Sequence, residues 1–235
     1  MRYSPIAVLA LVCALGSVSA TTAPTSGPPI VSPAPPIEHL SVDGDDYVVP
    51  TPEHFCASTI FGEAMRVQME SLVAASVNSI WVGCDLVRTD PTSLIFSFVA
   101  VKPTPVIKQQ SRADLIKAMA AELQTAQGAA LVHQGVQEGQ SKATDLGMTA
   151  PKLTTEPHLV GTDDYGVYCI AAAGVATATG SKGIFIVEAI TLVKGRLVLI
   201  AFGRVDPSTD AQTDLVNKAK AEARRMVDAN ETAPA

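Results

Sequence analysis

The chain has 235 residues, 47% of them hydrophobic and 5% aromatic, with Lys+Arg 17 against Asp+Glu 23 and a net charge of -6. An apolar fraction of this size excludes wholesale disorder and allows a single core. The acidic balance argues against a nucleic-acid partner, which requires a basic face.

Residues 1–20 carry the three zones of a secretory signal in order: the positive Arg2, the apolar run Ile6 to Leu15, and the small-residue site Val18-Ser19-Ala20. Cleavage is expected after Ala20. The apolar run is too short for ~30 Å of hydrocarbon, so no stable membrane span is expected once the signal is removed. Residues 21–37 hold Pro24, Pro28, Pro29, Pro33, Pro35 and Pro36. Proline fixes φ and removes backbone donors, so this segment reads as an extended linker. A single α+β domain is expected over 38–228, followed by a disordered tail at 229–235.

In chain order, Leu40 and Val42 alternate before Asp43-Gly44-Asp45-Asp46 and Tyr47-Val48-Val49, which predicts a hairpin. Apolar residues Phe61, Met65, Met69, Leu72 and Val73 recur at helical steps between Ile60 and Ala75, with Ser58 or Thr59 as the cap. Ile80 to Val87 and Leu94 to Val101 read as an antiparallel pair around Arg88-Thr89-Asp90-Pro91-Thr92. Ser111 to Asp114 resembles a capping box, and Leu115, Ile116, Met119 and Leu123 line one face of the helix it opens, which is stopped near Gly128. The Gly-rich, polar stretch Gln134 to Ala150 reads as a mobile loop. A second hairpin is expected from Lys152 to Val160 and Tyr165 to Val175 around Thr162-Asp163-Asp164, and a third from Ile184 to Val193 and Arg196 to Phe202 around Lys194-Gly195. Thr209-Asp210-Ala211-Gln212 caps a C-terminal helix with the inner stripe Leu215, Val216, Ala219, Ala223, Met226 and Val227. The apolar third hairpin is interrupted by Glu188, Lys194 and Arg196, which are costly in lipid, so it reads as strands buried on both faces. The fold class is therefore α+β: an antiparallel sheet built from hairpins and covered by about three amphipathic helices.

The element order from Ser111 to Val227, with Ile184-Phe185-Ile186-Val187, the Lys194-Gly195 turn and Arg196-Leu197-Val198-Leu199, resembles the PsbP-like fold. Phe55-Cys56 and Cys84-Asp85 are similar in placement to cysteines of uncharacterised secreted bacterial proteins. The PsbP-like resemblance implies a non-catalytic accessory or binding module, and no metal or partner residue of that family has a matching motif here.

No nucleophile elbow, His-Glu-x-x-His zinc motif, phosphate-binding Gly loop or paired Cys-x-x-Cys motif occurs, so no cofactor, metal site or catalytic residue is assigned. Gly180-Ser181-Lys182-Gly183 lies in a turn between strands rather than at a helix start. His39, His54, His133 and His158 are scattered without ligand spacing. Loss of Cys13 with the signal leaves Cys56, Cys84 and Cys169, an odd number that predicts one bridge and one thiol in an oxidising compartment. Cys56–Cys84 is the expected disulfide; three reduced, buried thiols are the alternative. Its loop of about 28 residues would contribute ~3–4 kcal/mol by chain entropy.

Three residues are candidates for ligand binding: Glu188, His158 and Cys169. If Asp163-Asp164 forms the turn, His158 falls opposite Cys169, either as a nucleophile pair or as a packed pair. Glu188 shares a face with Ile184, Ile186, Ile190 and Leu192, opposite Ala201 and near Gly203. Those small neighbours leave room for a ligand, unless a Lys or Arg from a covering helix pairs with the carboxylate or that sheet face is partly open to water. The expected function is a secreted, within that a periplasmic, non-catalytic binding or accessory protein for an unknown protein or small ligand. The alternatives are a small exported hydrolase or thiol-dependent enzyme around Cys169 and His158, and a structural envelope protein. N-terminal sequencing of the exported protein is expected to begin at Thr21; a mature chain that retains the apolar run would instead identify an anchor.

Overall fold

A strand that is apolar at nearly every position needs cover on both faces, and the third hairpin imposes that demand on the whole molecule. The computed structural model describes residues 31–58, 63–84, 95–103, 111–147, 152–177, 180–205 and 209–231. Its elements are β1 (Val31–Pro33), β2 (Ile37–Val42), β3 (Asp45–Pro50), β4 (Phe55–Ser58), α1 (Glu63–Val73), β5 (Ser76–Val77), β6 (Trp81–Gly83) and β7 (Ile95–Val101). They continue with α2 (Arg112–Leu123), α3 (Ala126–Asp145), β8 (Lys152–Thr162), β9 (Val167–Thr177), β10 (Gly180–Val193), β11 (Arg196–Arg204) and α4 (Thr209–Glu231). The fold is α+β. A nine-stranded antiparallel sheet runs β1-β4-β6-β7-β11-β10-β9-β8, with β5 also on β7, and β2-β3 forms a separate hairpin.

The third hairpin has the expected register, with Glu188 opposite Ala201 and Val193 opposite Arg196. Lys194 and Gly195 both have positive φ, as do Asp43 and Gly44 in the β2–β3 hairpin. Such two-residue turns match the right-handed twist of the strands they join. The two turns meet: Arg196, almost wholly buried, contacts Asp43 at 3.1 Å and Asp45 at 3.2 Å. Lys194 adds a bond to the Asp46 carbonyl at 2.6 Å and lies over the Tyr47 ring.

One face of the sheet is covered by α1, α2 and α3. Leu72, Leu115, Met119 and Val132 pack there against Phe98, Cys169, Ile190 and Leu199. On the other face Leu215, Ala219, Ala223 and Met226 of α4, with Tyr47 and Val49 of β3, pack on Tyr168, Val187, Ile200 and Phe202. Each large aliphatic side chain buried in these layers contributes ~1.5–3 kcal/mol relative to exposure. Asn230 fastens α4 to β3, its amide nitrogen donating to the Val48 carbonyl at 2.7 Å and its oxygen accepting from the Val48 N–H at 2.9 Å. The domain extends past both expected boundaries: Val31–Pro33 of the expected linker pairs with β4 as β1, and α4 reaches Glu231 rather than 228.

The mobile loop expected at 134–150 is corrected: residues up to Asp145 belong to the 20-residue helix α3. Thr125 caps it by accepting from the Gly128 N–H at 2.9 Å. Gly128, Val132, Gly135, Val136, Gly139 and Ala143 form its buried side. A Cβ on Gly128 would sit 1.9 Å from the Glu122 carbonyl oxygen, so the tight α2–α3 corner admits only glycine. Four helices rather than about three therefore cover the sheet among the described residues. The turn expected at 88–92 and the Thr59 cap lie outside those residues, but β6 and β7 pair antiparallel as expected.

Cys56 and Cys84 are bridged, with Cα atoms 5.2 Å apart, and join β4 to the end of β6 around α1. Replacement Cys84→Ser is expected to lower stability by ~2–4 kcal/mol in urea unfolding under oxidising conditions. An unchanged midpoint would show that the bridge does not stabilise the fold.

Candidate functional site

Cys169 and Glu188 are neighbours. They sit opposite each other on β9 and β10, on the face beneath α1, α2 and α3. Cys169 is 1% exposed and Glu188 2%. Across β11 from Glu188 lies Ala201, and across β7 lies Phe98. The room expected beside Gly203 is filled: a Cβ there would meet the Phe96 ring at 2.2 Å. Burial first, and then the negative charge of Glu188, push the Cys169 thiol far above its ordinary value. A thiol that keeps its proton in this way is a poor nucleophile.

His158 does not join them, which corrects the expected pairing. It lies opposite Ile170, while Leu159 lies opposite Cys169. Its ring is exposed, and its Nδ1 lies 3.1 Å from the Glu156 carbonyl oxygen. Two local causes move the register. The turn spans Asp163 to Gly166, closed by Asp163 N–H to Gly166 O at 3.1 Å and by Asp163 Oδ1, which accepts from the Tyr165 and Gly166 N–H groups and from the Tyr168 hydroxyl. Against that shift of two positions, β8 steps irregularly between Leu159 and Gly161, so the extra residue Val160 takes one position back and leaves His158 opposite Ile170, one place off Cys169. The imidazole is thereby carried away from the thiol.

Polar groups that the sequence reading did not single out occupy the other face and the helix ends. Glu222 on α4 is 2% exposed, and its Oε2 accepts from Arg225 at 3.0 Å. Burial raises its carboxyl to about 7, although Arg225 opposes the rise. Glu222 falls seven residues after Leu215 on the inner stripe, and that spacing is the signal that could have found it. Lys102 donates to the Val73 and Ala74 carbonyls, and Lys142 to the Leu72 carbonyl at 3.3 Å, so both cap the C-terminus of α1. Burial and the nearby Lys142 lower the Lys102 amine to about 8. Glu38 of β2 accepts from Trp81 Nε1 and from the Ser79 N–H, each at 3.0 Å. Among the described residues no group of three or more His, Cys, Asp or Glu side chains could hold a metal ion, and no helix is long and apolar enough to cross a membrane.

The folded protein is expected to react with an alkylating probe at Cys169 at least ~10²-fold more slowly than the denatured chain, because the thiol must first be uncovered. Mass spectrometry of labelled peptides over time checks this. Rapid native labelling that falls in a His158→Ala variant would contradict the observed separation.

No protein-family model matches the chain, and no curated protein matches it. Among solved structures it is similar to LpqN, described as involved in cell envelope biogenesis of Mycobacterium tuberculosis. The identity is 7% and the TM-score 0.24, with 87% of this chain and 84% of that one covered.

Proposed function

We propose that this chain is an exported, non-catalytic binding or accessory protein that works in a secreted or periplasmic setting on a partner protein or small ligand. The observation that carries the reading is the state of the three cysteines of the mature chain. Cys56 and Cys84 are joined, and disulfides of this structural kind persist in oxidising compartments outside the cytosol. Cys169 is enclosed beneath three helices with its thiol proton held, and the imidazole that would activate it faces solvent on another strand position. The element order that resembles the PsbP-like fold belongs to the same reading. Because both faces of the central strands are already covered, the partner meets the outer surfaces of the helices or the edges of the sheet rather than a sheet face.

The test is capture by the mature chain from its native envelope, run in parallel with a Cys169→Ser variant. A discrete partner or ligand retained equally by both is the expected result. Retention that disappears with Cys169→Ser, or thiol-dependent turnover of a captured substrate, would overturn the proposal in favour of an exported thiol enzyme.

A further inference from the structure

Helix α4 is tied to the connection between β3 and β4 by polar contacts that end at the proline-rich segment. Arg225 Nη1 donates to the Thr51 carbonyl at 3.0 Å as well as to Glu222 Oε2. Thr51 in turn donates its N–H to the Pro36 carbonyl at 3.1 Å and its hydroxyl to the Pro35 carbonyl. Glu222 Oε1 is buried with no hydrogen-bond partner among the described residues. A carboxylate in this position is satisfied at one oxygen only, and ionising it leaves charge out of reach of water.

The charged groups that act on Glu222 are Arg225 from its own helix and Glu53 from the β3–β4 connection. Among the described side chains, charges on the strands packed against α4 are engaged elsewhere. Asp45 of β3 holds Arg196, Asp46 holds His39 at 2.8 Å, and Arg204 of β11 pairs with Asp214 near the start of α4 at 3.7 Å. Glu188 of β10 lies on the opposite face of the sheet, with Ile190 and Leu192. One guanidinium is therefore shared between Glu222 and the Thr51 carbonyl, and among the described residues Glu53, next to His54 in the β3–β4 connection, is the charge from a packed segment that acts on Glu222.

We propose that Glu222, Arg225 and Thr51 form a protonation-dependent latch between α4 and the root of the proline-rich segment, closed while Glu222 is neutral and loosened when it ionises. The neutral acid leaves Arg225 directed at Thr51. Ionisation leaves Oε1 charged and dry, and admitting water to it requires the helix to lift from the β3–β4 connection. The sign follows from the carboxyl values, 4.5 for the ordinary group and about 7 here. Between them the folded chain holds a proton that the unfolded chain has released, so this contribution to stability is full below about pH 4.5 and lost as the pH rises through about 7.

The experiment is urea unfolding of the full mature chain and of Glu222→Gln at pH 5.5 and 8.5, with amide exchange followed at Thr51. Over that interval the folding constant of the wild-type chain is expected to fall roughly tenfold to thirtyfold more than that of the variant, which stays neutral throughout. The Thr51 amide of the wild type, corrected for intrinsic rate, is expected to lose protection at pH 8.5 relative to the amides of β10 and β11, and to keep it in Glu222→Gln. Equal pH responses in the two proteins would overturn the latch, as would Thr51 protection that only follows the core. Should Glu222→Gln fail to fold, the side-chain carboxyl carbon of Glu222 is titrated by NMR in the wild-type protein. A midpoint near 7 with Thr51 amide protection lost through the same pH range supports the latch; a midpoint in the ordinary carboxylate range, or Thr51 protection that does not follow the titration, contradicts it.

Discussion

Burial of the β10–β11 hairpin on both faces is the constraint from which the rest of the architecture follows. Val187, Ala189, Val193, Ile200 and Phe202 face one way, and Ile190, Leu192, Leu199 and Ala201 the other. Neither set can be left in water, so the chain places three helices over one face and a long helix with the β2–β3 hairpin over the other. Covering both faces also decides what the interior residues can do. Cys169 and Glu188 fall within the helix-covered layer, so the chemistry available to them is that of a core.

Where elements meet, the structure uses polar side chains that reach backbone as well as ion pairs such as Arg196 with Asp43 and Asp45. Asn230 reads both backbone groups of Val48, and Asn78 does the same for Val99, with its side-chain oxygen accepting at 2.6 Å and its own N–H donating at 3.1 Å. Arg112 joins the Leu192 carbonyl to Glu231, and so brings the start of α2 to the end of α4. Hydrogen bonds of this kind each contribute only ~0.5–1.5 kcal/mol, more for the charged ones. Removing one partner costs more than that gain, because the other is left buried and unsatisfied. Their main effect is to fix how helices and hairpins are seated on the sheet.

How much of this was legible in the sequence depended on whether local chemistry and tertiary packing agreed. The β10–β11 register followed from Lys194-Gly195 because a two-residue turn leaves one way to pair the strands. The Cys56–Cys84 bridge followed from cysteine number and order. The β8–β9 register did not, because Asp163 bends the chain through its side chain and Val160 enters as an extra residue, and neither shows in an alternation count. Helix α3 was hidden by Gly135 and Gly139, which weaken helix propensity in isolation but here face the packed side of the helix. Of the candidate site, the burial of Glu188 and Cys169 was readable from the apolar faces they share, whereas their contact with each other, and the exclusion of His158, required the register.

The claim that joins fold to function is that the layer containing Cys169 and Glu188 stays closed in the folded protein. Native-state hydrogen exchange in low denaturant, read at the amides of Cys169, Ile170, Glu188 and Ala189, tests it most directly. These amides are expected to exchange only through global unfolding, with the full denaturant sensitivity of the equilibrium transition. Exchange through a partial opening that lifts α1, α2 and α3 from the sheet, while β10 and β11 remain paired, would contradict it.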